Sequence, residues 1–201
     1  MRKINASTFI SLDGVMQAPG GPEEDPTGKF KFGGWTVPFW DDASGAVMGE
    51  ILSKPYDLLL GRKTYDIFAA YWPHHNDNPI GEQFNAVTKY VATSSPTTLT
   101  WQNSKPLGSD VTASLRDLKK QDGPDFLIQG SSVLFRSLLA SDLIDKITLL
   151  TYPVILGHGK RLFDDAALPS SFKLANSQAS STGVIMATYE RAGDVKTGSF
   201  A

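Results

Sequence analysis

The sequence contains no cysteine. Disulfides, thiolate metal sites and a cysteine nucleophile are therefore excluded, and a reducing, cytoplasmic setting is the expectation. An excess of one charge is also missing. Lys and Arg number 19 against 21 Asp and Glu, for a net charge of -2, so no dominant nucleic-acid surface is expected. No apolar run approaches the ~20 residues of a membrane helix, and no membrane association is expected. Asn5, Ser7 and Thr8 interrupt the first apolar stretch, which makes it a poor signal peptide. Internal repeats, low-complexity tracts and long linkers are absent. The adjacent His74 and His75 do not supply a full ligand set, so no metal site is expected, and His158 in the Gly157–Gly159 turn reads as structural.

What is present suits an α/β domain. The 201 residues, 41% hydrophobic and 20% charged, allow one large core. We expect a single domain over residues 1–191 and a frayed polar tail over 192–201. Strands are expected at Lys3–Ser11, Asp57–Leu60, Tyr90–Thr93, Asp125–Gln129 and Ile144–Val154. Helices are expected at about Trp40–Ser53, from Arg62 through Phe68, at Ser114–Lys120 and from Ser132 to Leu139. Phe172–Gln178 and Gly183–Arg191 read as an antiparallel pair. This alternation predicts three layers: a mixed, mostly parallel central sheet that is antiparallel at its C-terminal end, with flanking helices. Between Gln17 and Pro38 lies an irregular stretch rich in Gly and Pro. Loops of that length inside a domain are functional or disordered, and a lid is one reading.

Ligands in such sheets bind where strands end and helices begin. Three turns have suitable chemistry. Gly61-Arg62-Lys63-Thr64 offers a close backbone approach, two cations and a hydroxyl at a helix start. Ala92-Thr93-Ser94-Ser95 offers hydroxyls that suit a ribose phosphate or an ordinary cap. Gln129-Gly130-Ser131-Ser132 places small residues between a strand and a helix, the form of an anion site, although the G-x-G-x-x-G signature is absent. Each turn also has an ordinary structural reading, and the three count for more together than singly.

The ordered motifs resemble a known family. Ser11-Leu12-Asp13-Gly14-Val15 is similar to the opening of the dihydrofolate-reductase-like superfamily, and Leu60-Gly61-Arg62-Lys63-Thr64-Tyr65 to its cofactor turn. Gly130-Ser131-Ser132-Val133-Leu134 resembles its glycine-pair turn. Leu143-Ile144-Asp145-Lys146-Ile147 and the run from Pro153 to Phe163 resemble the close of the riboflavin-type (RibD C-terminal) reductase domain. The resemblance covers nearly the whole chain. It implies NADPH as cofactor, hydride transfer as chemistry, a small-molecule substrate and a homodimer through the C-terminal strands. It implies that Gly61, Arg62, Lys63, Thr64, Ser94 and Ser95 face the adenosine side. Gly130, Ser131, Ser132 and Val133 would cradle the pyrophosphate, and Gly14 and Val15 would line the nicotinamide side. One departure is Ser131, which stands where the family has a second glycine.

Folate reductases carry a substrate carboxylate early in the first helix, and the resemblance brings this position near Asp41-Asp42. Helical spacing puts Asp41 on the face of Met48 and Leu52, and Asp42 on that of Ala46, Gly49 and Ser53. Asp41 is the candidate catalytic carboxylate; the alternative is that both aspartates cap the helix. Trp35, Phe39, Trp40 and Met48 are candidate pocket walls, since aromatics stack on flat heterocycles; core packing is the alternative for each. The chain has no fused deaminase with its Cys/His zinc signature, and its closing motif differs from true folate reductases. The expectation is therefore an orphan NADPH-dependent reductase of a pterin, pyrimidine or related heterocycle. A non-catalytic NADPH sensor or dimerisation module is the alternative.

Overall fold

The computed structural model describes residues 1–164 and 167–200. Ala201, the end of the expected tail, lies outside them. Eight strands form one sheet in the order β4-β3-β2-β5-β1-β6-β8-β7. They are β1 (Ile4–Ser11), β2 (Tyr56–Gly61), β3 (Lys89–Ala92), β4 (Ser104–Pro106), β5 (Asp125–Gln129), β6 (Lys146–Tyr152), β7 (Ser171–Ala179) and β8 (Ile185–Gly193). Strands β1 to β6 pair in parallel, and β8 and β7 join as antiparallel neighbours. The mixed sheet expected from the sequence is present.

Helices cover both faces: α1 (Asp42–Ser53), α2 (Arg62–Tyr71) and α3 (Pro79–Ala86) on one, α4 (Val111–Lys120) and α5 (Ser132–Ala140) on the other. Strand periodicity divides the side chains between them. From β1, Ile4, Ala6 and Ile10 join Phe126, Ile128 and Ile147 against the α5 side. In β2, Leu58 and Leu60 pack toward α2 and α3 while Leu59 packs the other way, and all three have no exposed surface. A double-covered strand therefore reads as a continuous apolar run, and each such leucine contributes about 1.5–3 kcal/mol by burial.

Two elements were not foreseen. Asn78 caps α3, its Oδ1 accepting from the Gly81 amide at 3.0 Å, with Pro79 in the first turn. That pairing is a start signal for a helix, but α3 is only 8 residues long, little more than two turns. Strand β4 has 3 residues, too few for alternation to show.

The stretch between Gln17 and Pro38 is irregular but packed. The Gln17 side-chain amide donates to the carbonyls of Asp25 and Thr27, both at 2.8 Å, and its Oε1 accepts from the Lys160 amide at 3.0 Å. Trp35 Nε1 donates to the Gln17 carbonyl at 2.8 Å. Phe30 and Trp35 are buried in the core on the α1 side.

Candidate active site

All parallel strands end at the same edge of the sheet. There β3, β2 and β5 are neighbours, so their three following turns lie side by side. The Gly61 amide donates to Ser131 Oγ at 2.9 Å, which joins the turn after β2 to the turn after β5. Gly130 and Ser131 have φ of 71° and 58°, a left-handed pair. A Cβ on Gly130 would meet Thr64 Cγ2 at an ordinary contact distance of 3.4 Å, so it is the positive φ that favours glycine there. For Ser131 the left-handed conformation costs about 1–2 kcal/mol, which a hydrogen bond to Gly61 offsets in part. Its hydroxyl accepts from Gly61 and keeps its own proton to donate.

The starts of α2 and α5 leave amides without helical partners at this junction. Arg62 ties the α2 start to the β3 turn: Nε donates to Asp66 at 2.8 Å, and a terminal nitrogen donates to Thr98 Oγ1 at 2.6 Å and to the Ser95 carbonyl at 3.1 Å. Ser94 and Ser95 are exposed beside it. Lys63 reaches instead to the long segment, where it pairs with Asp25 at 3.0 Å. Gly14 has φ of 79° and open space around it, whereas the Val15 side chain is fully buried in the core. Val133, in the first turn of α5, is 73% exposed.

On the α1 side, toward the opposite, N-terminal ends of the parallel strands, the sheet carries a cleft of about 230 Å³ lined by α1 and strands β1, β2, β5, β6, β7 and β8. Asn5, Ser7, Thr148 and Thr188 line its floor, and Val47 and Ile51 its roof. Among the described residues, four buried polar atoms lack a partner: Asn5 Oδ1, Ser7 Oγ, Gln129 Oε1 and Tyr152 Oη. Ser7 and Gln129 are register partners, and Gln129 directly precedes Gly130. Buried polar atoms without a protein partner are satisfied by ordered water or by a ligand, which marks this face as one able to receive polar groups. A larger depression, about 380 Å³, lies near α3. The lysine behind it, Lys89, is committed to the carbonyls of Asn85 and Gln102 and lies over the Trp101 ring.

Residues 2–186 match the family model of the RibD C-terminal domain. The chain belongs to this family. Among its relatives, the uncharacterized protein YyaP of Bacillus subtilis is 24% identical over 192 residues, 94% of each chain. In fold, the domain is similar to a pyrimidine reductase-like protein of Corynebacterium diphtheriae, with a TM-score of 0.64 at 14% identity, covering 96% of this chain and 93% of that one. It is similar also to dihydrofolate reductase of Enterococcus faecalis, with a TM-score of 0.57 at 16% identity over 94% and 96% of the two chains. The fold is thus dihydrofolate-reductase-like.

Of the two readings the sequence left open for Asp41, the geometry shows the helix cap. Asp41 does not stand open toward a pocket; it is the N-cap of α1. Its Oδ1 accepts from the Ser44 amide and hydroxyl, both at 3.0 Å, and its Oδ2 from the Ser181 amide at 3.1 Å and hydroxyl at 2.9 Å. The Ser44 amide first, with the serine hydroxyls, holds its pKa near about 2. This carboxylate is a clasp between α1 and the turn before β8. The expected helix at Trp40 begins two residues later, which turns Asp41 from a facial position into a cap. Trp35 and Met48 are core residues, and Phe39 packs on the same cluster, edge-on to Tyr152. Of the four expected walls, Trp40 is the one that stays 45% exposed, set edge-on against Phe9.

Sequence reasoning missed Asn5, Ser7 and Gln129. Their signal was available: polar residues at inward positions of strands that are covered on both faces. Asp13 was quoted only within a motif. It clasps the loop after β6, accepting from the Leu156 and Gly157 amides at 3.1 and 2.9 Å. Burial alone would raise its pKa, but the Ser11 hydroxyl and those amides hold it near about 2.

Proposed function

We propose that this RibD-type protein is an NADPH-dependent reductase that transfers a hydride to a small heterocycle of the pterin, pyrimidine or related type. One observation carries the reading: the Gly61–Ser131 bond brings two helix starts together at the C-terminal edge of the sheet, next to the unpartnered Gln129 and its register partner Ser7. The junction fits a dinucleotide phosphate chemically. Free amides, Thr64 and the spare Ser131 proton donate to phosphate oxygens, and Arg62 and Lys63 bring positive charge. In this reading Gly130, Ser131, Ser132 and the Val133 amide hold the pyrophosphate, Arg62 with Ser94 and Ser95 the ribose phosphate, and Gly14 the nicotinamide side. NADPH, when bound, supplies the hydride. The chain's own residues orient the two reactants. Asn5 Oδ1 and Gln129 Oε1 accept hydrogen bonds, so they select a substrate with N–H donors, and Ser7 adds a hydroxyl. Trp40, 45% exposed beside Phe9, offers an aromatic surface on which a flat ring can stack.

The unit so described is a single reductase domain, residues 1–191, with 192–201 as an appended tail, working in the cytoplasm as a homodimer through β7 and β8. A monomer by light scattering removes the dimer. The test of the main reading is fluorescence titration with NADPH and NADH, followed by loss of nicotinamide absorbance with a panel of pterins, pyrimidines and quinones. Failure to bind NADPH overturns it. Ser131, standing where the family has a second glycine, favours one second reading, an NADPH-binding module without turnover. Tight binding with no oxidation across the panel selects that module.

A further inference from the structure

Lys63 and Lys160 approach this junction from opposite sides. Lys63 is in the first turn of α2, after β2, and Lys160 lies in the loop that follows β6. Strands β5 and β1 separate β2 from β6 in the sheet, a gap of three spacings, about 14 Å. One carboxylate from the long segment bridges it. Asp25 pairs with Lys160 Nζ at 2.5 Å and with Lys63 Nζ at 3.0 Å. Thr27 Oγ1 accepts from each ammonium group at 2.8 Å. The Asp25 side chain is 9% exposed, against 52% and 41% for the lysines, so the cations form the outer, accessible layer of the cluster.

The charge of this cluster does not balance. Among the described residues, Asp25 is the one carboxylate that pairs with either lysine, and two ammonium groups share it. In the pairing itself the ammonium groups outnumber the carboxylate by one, and the neighbouring Glu24 pairs with neither lysine among the described residues. Each ammonium has three protons and spends two, on Asp25 and Thr27, so one donor per lysine remains. The positive end of the 10-residue α2 adds to the field at Lys63.

We propose that Lys63 and Lys160 together bind a phosphoryl group of the dinucleotide, and that Asp25 is a resident counter-ion which that group displaces. This rests on the NADPH reading above and adds Lys160 and Asp25 to the site. A phosphate offers more charge and more acceptor oxygens than the carboxylate, and it meets a like charge while Asp25 remains in place. The segment does not come loose when Asp25 yields, because Gln17 and Trp35 hold it by separate bonds. Entry of the cofactor therefore exchanges one anion for another at the tip of the segment.

A simple structural clamp and a displaceable counter-ion predict opposite signs. Calorimetric titration of the wild type, Asp25→Asn and Lys160→Met with NADPH, and separately with inorganic pyrophosphate, reads the difference. Asp25→Asn is expected to tighten both by about fivefold, the effect of removing a unit charge about 4 Å away in a water-like medium. Lys160→Met is expected to weaken both and to flatten their dependence on salt. Equal or weaker binding by a folded Asp25→Asn, or unchanged binding by Lys160→Met, overturns the inference. If Asp25→Asn does not fold, Lys160→Arg decides: affinity kept by Arg and lost by Met supports the pair, and any other pattern sinks it. If the wild type binds pyrophosphate but not NADPH, the reductase reading fails alone, and the variants still judge the lysine pair with pyrophosphate. Binding of neither probe removes both.

Discussion

The two faces of the sheet are built to different standards. Against α4 and α5, most side chains of β1, β5 and β6 are aliphatic or aromatic and close into one core, with Ile4, Phe126 and Leu138 wholly buried. On the α1 side the same strands present Asn5, Ser7, Gln129 and Thr148, and an open cleft runs beneath the helix. One strand thus serves two purposes through its period of two. The residues of the first face hold the fold. Those of the second carry a cost in stability, which is the expected mark of a surface kept for a ligand.

The largest effect that separates the faces is a cavity. Phe126→Ala removes a fully buried ring from the α5 side and is expected to destabilise the fold by about 3–5 kcal/mol. Urea denaturation measures it. A loss below about 1 kcal/mol would mean that this face is no better packed than the other.

Next in size is the charge at the C-terminal edge of the sheet. Arg62→Ala is expected to weaken NADPH by about ten- to a hundredfold, as for loss of a charge-assisted hydrogen bond, and to leave NADH within about twofold. Stability should change little, because the Arg62–Asp66 pair is half-exposed. Equal weakening of both nucleotides takes Arg62 away from the ribose phosphate.

Acid should act on the edge before it reaches the α5-side core. Asp13, Asp25 and Asp41 all stand near about 2, below their ordinary 3.8, and each ties segments at the C-terminal ends of the strands. For Asp25, burial opposes this, and the hydrogen bonds from Lys160, Thr27 and Lys63 outweigh it. The unfolded chain takes up these protons at the higher pH. The stabilisation is therefore complete above about pH 4 and is lost as the pH falls toward 2. Hydrogen exchange between pH 4 and 2 should show the 11–41 segment opening while the β5 amides stay protected. Simultaneous loss of both would show that these clasps do not act locally.

Much of the architecture was legible because double-covered strands and capped helices leave strong local patterns. The strand Asp125–Gln129 falls where its apolar run ends at Gly130, and the three turns meet because consecutive parallel strands share an edge. The clasps were not legible. Asp41 meets Ser181 across 140 positions, and Asp25 meets Lys160 across 135, so no spacing rule links either pair. A shift of two residues in the start of α1 was enough to make a supposed pocket acid into a cap. Short elements such as β4 also escaped, since three residues hold no period.

The smallest change is the sharpest test of the comparison. Ser7 is 1% exposed and its hydroxyl has no partner, so Ser7→Ala deletes a buried polar atom without opening a large void. On the α5 side every truncation should cost stability; here the variant is expected to match the wild type or gain up to about 1 kcal/mol. Substrate KM should rise while NADPH affinity stays fixed, because Ser7 lies one step below the phosphate turn. Urea midpoints and a KM–Kd comparison on the same preparation separate the two effects. Clear destabilisation would mean that Ser7 Oγ holds a structural water, and its role in receiving substrate would pass to Gln129.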